Sequence, residues 1–476
     1  MSATMKRIPM KTKQKIHRVA AAAGLAALLS GCANLAPSYE RPAAPVAPSW
    51  PQAAAAAAPG EAATPAQGWQ QFYADDARLR ELITLALQHN RDLRVAALNA
   101  EQARALARVA DANRWPTVGV GLTGTRATTT KDTISSTYTA GLQLASYEID
   151  LLGKARNNAD AATSRYLASV EGQRAAQISL VASVAAAQLA LQADDELLAL
   201  AERTLASRRE SLKLTQLKFE QGASSRLELS TAESAEASTR ASVAQLQRQR
   251  AQDENALVLL IGQPLPATLP AARPLTGLKL AALPVGLPSS VLLQRPDVLQ
   301  AEQTLIAANA NVGAARAAFF PAITLTASAG SASTQLSELF KSGAWSFSSQ
   351  LLMPIFDAGR LQANLESVKT AREIAVAQYE KAVQSAFREV ADALAGQATL
   401  GEQLQAQQAL ARAEAERLRL VELRFANGAS NSLELLDAQR SSYAAQQALL
   451  QAQLALQINR VQLYKALGGG VAAAGS

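Results

Sequence analysis

Residues 212–229 read LKLTQLKFEQGASSRLEL, and residues 418–435 read LRLVELRFANGASNSLEL; ten of the eighteen positions are identical. Each copy sets Phe-x-x-Gly-Ala-Ser inside a long run that contains no proline. Glycine takes the left-handed backbone conformation that ends a helix, so Gly222 and Gly428 are expected to stop one helix each. Ser224 and Ser430, two residues on, are expected to cap a helix that returns.

Proline positions set how long those helices can be. After Pro116 the next proline is Pro264, and none follows Pro354. A proline inside a helix costs about 3 kcal/mol. Two very long helices are therefore allowed, at 153–221 and 359–427. Each would run to roughly 100 Å at the α-helical rise per residue. Apolar residues recur three to four apart in both: Leu180, Val184, Ala187 and Leu191, then Val383, Phe387, Val390 and Leu394. That spacing is a coiled-coil seam. Returning helices are predicted at about 224–261 and 430–467. Shorter ones are predicted near 91–113 and 296–318, with Pro296 tolerated in a first turn. Stacked end to end, a returning helix and a short one come close to the length of a long helix.

The rest of the chain is duplicated on nearly the same offset. Pro116 and Pro321 are 205 residues apart, as are Asp92 and Asp297. Each proline opens a segment of period-two alternation: Val118, Val120 and Leu122 in PTVGVGLTGT, Ile323, Leu325 and Ala327 in PAITLTASAG. Second strands follow, from Tyr138 and from Trp345. Apolar residues alternating with small or polar ones over about ten positions fit a membrane-barrel strand. Trp115, Tyr138, Phe319, Phe320, Trp345 and Phe347 gather there, as aromatics do at bilayer interfaces. Four strands cannot close a barrel, since the smallest membrane barrels use about eight. An open edge in lipid strands backbone groups without partners. Strands in a membrane would thus require an oligomer.

The net charge of +7 is concentrated at the N-terminus. Residues 1–31 carry Lys6, Arg7, Lys11, Lys13, Lys15 and Arg18 and no acid, so the remainder is close to neutral. A general footprint for nucleic acid is excluded. The basic start, the apolar stretch from Val19 to Leu29 and the LSGC at 29–32 read as a signal peptide ending at a lipidation site. Cys32 is the only cysteine. Lipid on both its thiol and its amine would give the multi-chain anchoring that one acyl chain cannot. Residues 36–69, rich in Pro and Ala, read as an extended tether without a core of its own.

Chemistry is missing elsewhere. His89 is the one histidine beyond the leader and is expected at a solvated position. No catalytic constellation, metal-ligand cluster, cofactor site or phosphate loop is present. Asp150 and Asp357, at strand-to-helix junctions, are read as helix caps rather than catalytic acids.

The order of parts resembles the outer membrane factor family, the TolC-like exit ducts of Gram-negative envelopes, in its lipoprotein branch serving resistance–nodulation–division efflux systems. ASYEIDLLGKAR (145–156), LLQRPDVLQAE (292–302) and PIFDAGRL (354–361) look like family signatures. The resemblance implies a fold that is mainly α with a transmembrane β-barrel contribution: a homotrimer, four strands per chain in a twelve-stranded barrel, continued by a periplasmic helical tunnel. It implies a passive duct in the outer membrane, lipid-anchored through Cys32, with a periplasmic adaptor and an inner-membrane pump as partners. The Gly turns would form the tip. Leu227, Glu228, Thr231, Leu433 and Asp437 would lie at the aperture; Phe219, Gly222, Ser224, Phe425, Gly428 and Ser430 would shape the turn and dock the adaptor. The two leucines equally suit coiled-coil packing, and Glu228 and Glu434 suit the positive end of a helix dipole.

The expected organisation is a signal peptide (1–31), a lipidated tether (32–68) and a first repeat (69–261; hairpin 116–150, helices 153–261). A Pro-rich linker (262–287), a second repeat (288–467; hairpin 321–354, helices 359–467) and a tail (468–476) follow. Two other readings remain: a duct for type I protein secretion, and a non-channel coiled-coil lipoprotein of the envelope.

Overall fold

A computed structural model describes residues 34–50, 68–130, 133–278, 280–281 and 288–469. The signal peptide, Cys32, most of the tether and the end of the tail lie outside the described residues. The regular elements run in the order α1 (Trp69–Phe72), α2 (Ala77–His89), α3 (Arg91–Ala112), β1 (Val118–Thr130), β2 (Thr133–Ile149), α4 (Lys154–Glu220) and α5 (Arg226–Ile261). Then come α6 (Pro296–Ala317), β3 (Ala322–Ser333), β4 (Gly343–Leu352), α7 (Arg360–Ala426) and α8 (Ser432–Ala466). The two long helices, α4 and α7, have 67 residues each. The chain divides into two compact units. One takes in the described parts of Met1–Pro42, Ala100–Ser169 and Ala301–Tyr379; the other takes in those of Ala43–Asn99, Val170–Gln300 and Glu380–Ser476.

The first unit holds the sheet. Its four strands are antiparallel in the order β1-β2-β3-β4. The register lines Val120, Leu142, Ala329 and Trp345 into one row, and Val118, Leu144, Ala327 and Phe347 into the next. Gly119, Gln143, Ser328 and Ser346 form a row of the opposite face. Directly opposed residues of antiparallel strands share a face, so one face is apolar and the other small or polar. The apolar face is bare: Val120 is 85% and Trp345 81% exposed. A soluble hairpin would bury that face, and here none of the described residues covers it.

Two devices preserve this pattern. Between Leu144 and Tyr147 strand β2 carries one residue more than β3, a bulge, with Ser146 at φ 49°. The extra residue returns Tyr147 and Ile149 to the apolar face, opposite Leu325 and Ile323. Gly141 and Gly330 face each other across β2 and β3. A Cβ on either would overlap the partner strand's backbone, at Ala329 or at the Ala140 carbonyl.

Asp150 and Asp357 act as the caps that the sequence predicts. Asp150 Oδ2 accepts from Arg156 N at 2.8 Å; Asp357 accepts from Gly359 N at 3.1 Å and Leu361 N at 2.9 Å. They satisfy first-turn amides of α4 and α7. The described start of the tether is pinned to the same unit. Asn157 Nδ2 donates to Asn34 Oδ1 at 2.9 Å. Glu302, 5% exposed, accepts from Tyr39 Oη at 2.9 Å and from Arg41 Nε and Nη2 at 2.7 and 2.8 Å. Burial and that carboxylate raise the Tyr39 hydroxyl above its ordinary range.

The second unit has an aromatic-aliphatic core built on α1, α2, α4, α5 and α8. Phe72 and Tyr464 stack at 4.0 Å between centroids, and Tyr73 meets both edge-on. Leu79, Leu82, Ile83, Val184, Leu257 and Ile261 are fully buried around them. The predicted seam residues Leu180, Val184 and Leu191 of α4 and Val383 and Val390 of α7 are buried too. The apolar stretch of α4 is long enough to cross a membrane, yet Val181, Val184 and Leu189 within it are at most 1% exposed. It serves as core. Trp50, at the end of the described tether, is buried and stacks on Phe387 at 4.5 Å.

Replacing Gly330 by Ala is expected to force β2 and β3 apart at their closest approach, at a cost of about 1–3 kcal/mol. The check is thermal unfolding of the purified protein by circular dichroism in the β region. A midpoint equal to wild type would show that the glycine pair does not set the strand spacing.

Candidate functional site

Both repeated turns adopt one backbone plan. Gly222 and Gly428 are left-handed, with φ 73° and 72°. Ala223 N donates to Lys218 O at 2.8 Å and Gly222 N to Phe219 O at 2.9 Å; Ala429 N and Gly428 N do the same to Arg424 O and Phe425 O at 2.8 and 3.1 Å. This paired closure ties up the last carbonyls of α4 and α7 and needs a residue without a Cβ at its pivot.

The caps fall one residue later than expected. Ser225 and Asn431, not Ser224 and Ser430, accept from the backbone of α5 and α8, at Glu228 N (3.2 Å) and Glu434 N (2.8 Å). The left-handed glycine and the alanine after it use the residues that reverse the chain, so the first cap-competent position moves on by one. Ser224 and Ser430 instead donate to the carboxylates of Glu228 and Glu434, each at 2.5 Å. Glu228 also accepts from Ser225 N at 3.0 Å, which completes a capping box.

Glu228 further accepts from Ser432 Oγ of the second turn at 3.1 Å. Beside this bond, Lys218 Nζ sits 4.4 Å from the centre of the Phe425 ring. The two turns of one chain are thus joined by one hydrogen bond and one cation–π contact. Hydrogen bonds from Ser224, from Ser225 N and from Ser432 hold the Glu228 carboxyl below its usual range. Phe425 packs against the buried Val421, Leu435 and Ala438, while Phe219 remains 36% exposed.

The repeats differ in charge. Asp437 on α8 accepts from Arg417 Nη2 of α7 at 3.1 Å and from Arg440 Nη2 at 2.7 Å; Arg417 also pairs with Glu414 at 2.9 Å. The bond from Arg417 is the main reason the Asp437 carboxyl lies below its ordinary range. The matching positions of the first repeat are Ser211, Thr231 and Ser234. Thr231 bonds back to the Leu227 carbonyl at 2.7 Å. Glu434 pairs with Arg424 at 3.1 Å. Arg417, Arg424 and Arg440 went unremarked in the sequence, although their spacing to the acids on paired helices could have exposed them. Leu227 and Leu433 are 77% and 67% exposed, so neither packs into the chain's own coil. His89 ends α2 half-buried rather than fully solvated. Among the described residues, no group of three or more His, Cys, Asp or Glu could hold a metal ion.

A sheet bare on its apolar face, joined to long helical hairpins, defines a channel-forming protein of the outer membrane. The chain matches the family model described as outer membrane efflux protein over residues 82–263 and 287–469. It is 45% identical over 455 residues, 93% of either chain, to a probable efflux pump outer membrane protein of Pseudomonas putida, TtgC. Two solved structures are similar. One is a membrane protein from Pseudomonas aeruginosa: TM-score 0.84, 41% identity, 91% of this chain and 100% of that one. The other is the open state of the MtrE outer membrane channel of Neisseria gonorrhoeae: TM-score 0.83, 40% identity, 92% and 98%. The chain belongs to the outer membrane efflux protein family. Its work is efflux through the outer membrane, and the family is not a class of enzymes.

Losing the capping box by Ser225→Ala or Glu228→Ala is expected to cost about 0.5–2 kcal/mol of local stability. Amide hydrogen exchange at residues 226–229 should quicken while that of the strands stays unchanged. The depressed Glu228 carboxyl sets the pH window. Its contribution is complete above the unfolded value of about 4.3 and is lost as pH falls through the lower folded value. Protection of the turn should therefore hold from neutral pH down to about pH 5 and fail only in stronger acid.

Proposed function

We propose that the chain is one of three identical subunits of an outer membrane exit duct. Small molecules would pass through it passively from a periplasmic adaptor and an inner-membrane pump. The observation that carries this reading is the sheet: one lipid-compatible face, one polar face, and an outer edge on each of β1 and β4 that pairs with no other described strand. Three copies bring twelve strands, enough to satisfy every edge in a closed barrel. The leader and Cys32 support lipid anchoring beside that barrel.

The paired turns would form the periplasmic tip. Leu227 and Leu433, exposed on the single chain, are placed to meet neighbours or the lumen; Thr231 and Asp437 would lie behind them, one ring neutral and one charged. Glu228 belongs more to the lock of the turn than to the lumen, given its three donors. The outer surface of Phe219, Gly222 and Ser224, with Phe425, Gly428 and Ser430, would receive the adaptor. Likeness to TtgC, an efflux pump component, favours small-molecule efflux over protein secretion.

Purified in detergent, the protein should run as a trimer and conduct ions in planar lipid bilayers. A non-conducting monomer would refute the duct. Asp437→Asn removes the carboxylate shared by Arg417 and Arg440, and single-channel conductance should rise. An unchanged conductance would remove Asp437 from the aperture while leaving the duct itself standing.

A further inference from the structure

Away from the turns, α4 and α5 bring four acids together around one base. Asp194 and Asp195 lie on α4; Asp253 and Glu254 lie on α5 with Arg250. Arg250 is committed elsewhere: Nε binds Asp195 at 2.6 Å and Nη1 binds Glu254 at 2.8 Å. Gln249 Nε2 reaches both oxygens of Asp253 at 3.2 Å. Asp194 has neither kind of partner. It is only 8% exposed, and its Oδ2 is buried without a hydrogen-bond donor.

Arg250 is the cation whose charge acts on Asp194, but its donors are taken up by Asp195 and Glu254, and among the described residues no base donates a hydrogen bond to Asp194. On α8 no charged residue lies between Arg440 and Arg460, and Tyr443 in that span is engaged by Gln447. Glu196, next along α4 after Asp195, is taken up by Leu275 N at 2.8 Å. On α2, Arg78 donates to the Pro270 carbonyl at 2.9 Å. A buried carboxylate with no bonded cation is costly. A proton on Asp194 removes the charge and turns an orphaned acceptor into a donor towards Asp253.

We propose that Asp194 and Asp253 share a proton across the α4–α5 pair, and that this bond is a pH-sensitive clamp which releases as pH rises through neutrality. Burial first, then the bond and the charge of Asp253, push the Asp194 carboxyl up to about 7. The unfolded chain gives up the same proton near about pH 4. Between those values the open form gains on the closed form as pH rises, so the clamp's contribution is complete only below about pH 4 and is lost progressively up to about pH 7. Above that, Asp194, Asp195, Asp253 and Glu254 face a single arginine. The α4–α5 pair is also the one that ends in the first turn, which makes the firmness of that hairpin depend on the acidity of its compartment.

The test is amide hydrogen exchange on the full-length protein in detergent, as protection factors, at about pH 5.5 and about pH 8.5. Those of 190–198 and 249–257 should fall at least about tenfold in wild type over that range. In Asp194→Asn, which keeps the shape and a donor without the charge, the fall should be absent. Equal pH dependence in the two proteins overturns the proposal. Infrared titration of the carboxylic acid band gives a second readout, independent of variant folding. Wild type should hold one protonated buried carboxyl at about pH 6 and lose it by about pH 8.5. Absence of that band in wild type, or its persistence in both Asp194→Asn and Asp253→Asn, also overturns the proposal.

Discussion

Backbone amides and carbonyls removed from water must find partners, and the whole chain is arranged around where it meets that demand by itself and where it does not. Inside the sheet the strands answer one another, and at the paired turns the glycine closures and the Ser225 and Asn431 caps answer the helix ends. At the outer edges of β1 and β4 it is not. Those two rows of groups can be satisfied only by further copies of the same strands. The bare apolar face and the unpaired edges are therefore one constraint. A chain that exposes Val120 and Trp345 to lipid must also close its edges with other subunits.

The duplication supplies the symmetry for closure, and its imperfections supply the specialisation. The backbone of the turn is kept in both repeats down to the hydrogen bonds around Gly222 and Gly428. What changed is the decoration. The second repeat carries Arg417, Asp437 and Arg440 where the first has Ser211, Thr231 and Ser234. The first turn is locked by its own capping box and by a bond from Ser432; the second is held by the Asn431 cap, by Ser430 on Glu434 and by the Arg424–Glu434 pair. Scaffold and charge differ independently between the two repeats, because a helix reversal depends on φ at one glycine while surface ion pairs depend on little else.

Elements governed by local rules could be read from residues alone. Proline-free runs allowed α4 and α7, since one misplaced proline would break either helix, and the glycine turns placed their ends to within a residue or two. Alternation located all four strands, because period two has no helical equivalent. Contacts that join distant parts of the chain were hidden. Nothing in a Pro- and Ala-rich segment signals that Tyr39 and Arg41 will meet Glu302, or that Trp50 will stack on Phe387. The caps were misplaced by one residue because serine stands at both 224 and 225 and only the geometry of the turn chooses between them. The arginine partners of Asp437 were missed for a related reason. A lone acid draws notice in a sequence, but Arg417, one of its two bases, lies on another helix.

The bulge at Ser146 behaves as a compensated frameshift written in backbone rather than in codons. Side chains of a strand have only two phases, so one extra residue exchanges lipid-facing and lumen-facing positions for everything beyond it. In β2 the bulge absorbs that exchange at a single point, and Tyr147 and Ile149 keep the phase of Leu144. Relatives of this chain that lengthen or shorten β2 by one residue must gain or lose a bulge at the same time. Changes by two residues are free of that requirement. Length variation in these strands should accordingly come in even steps, with odd steps confined to the bulge.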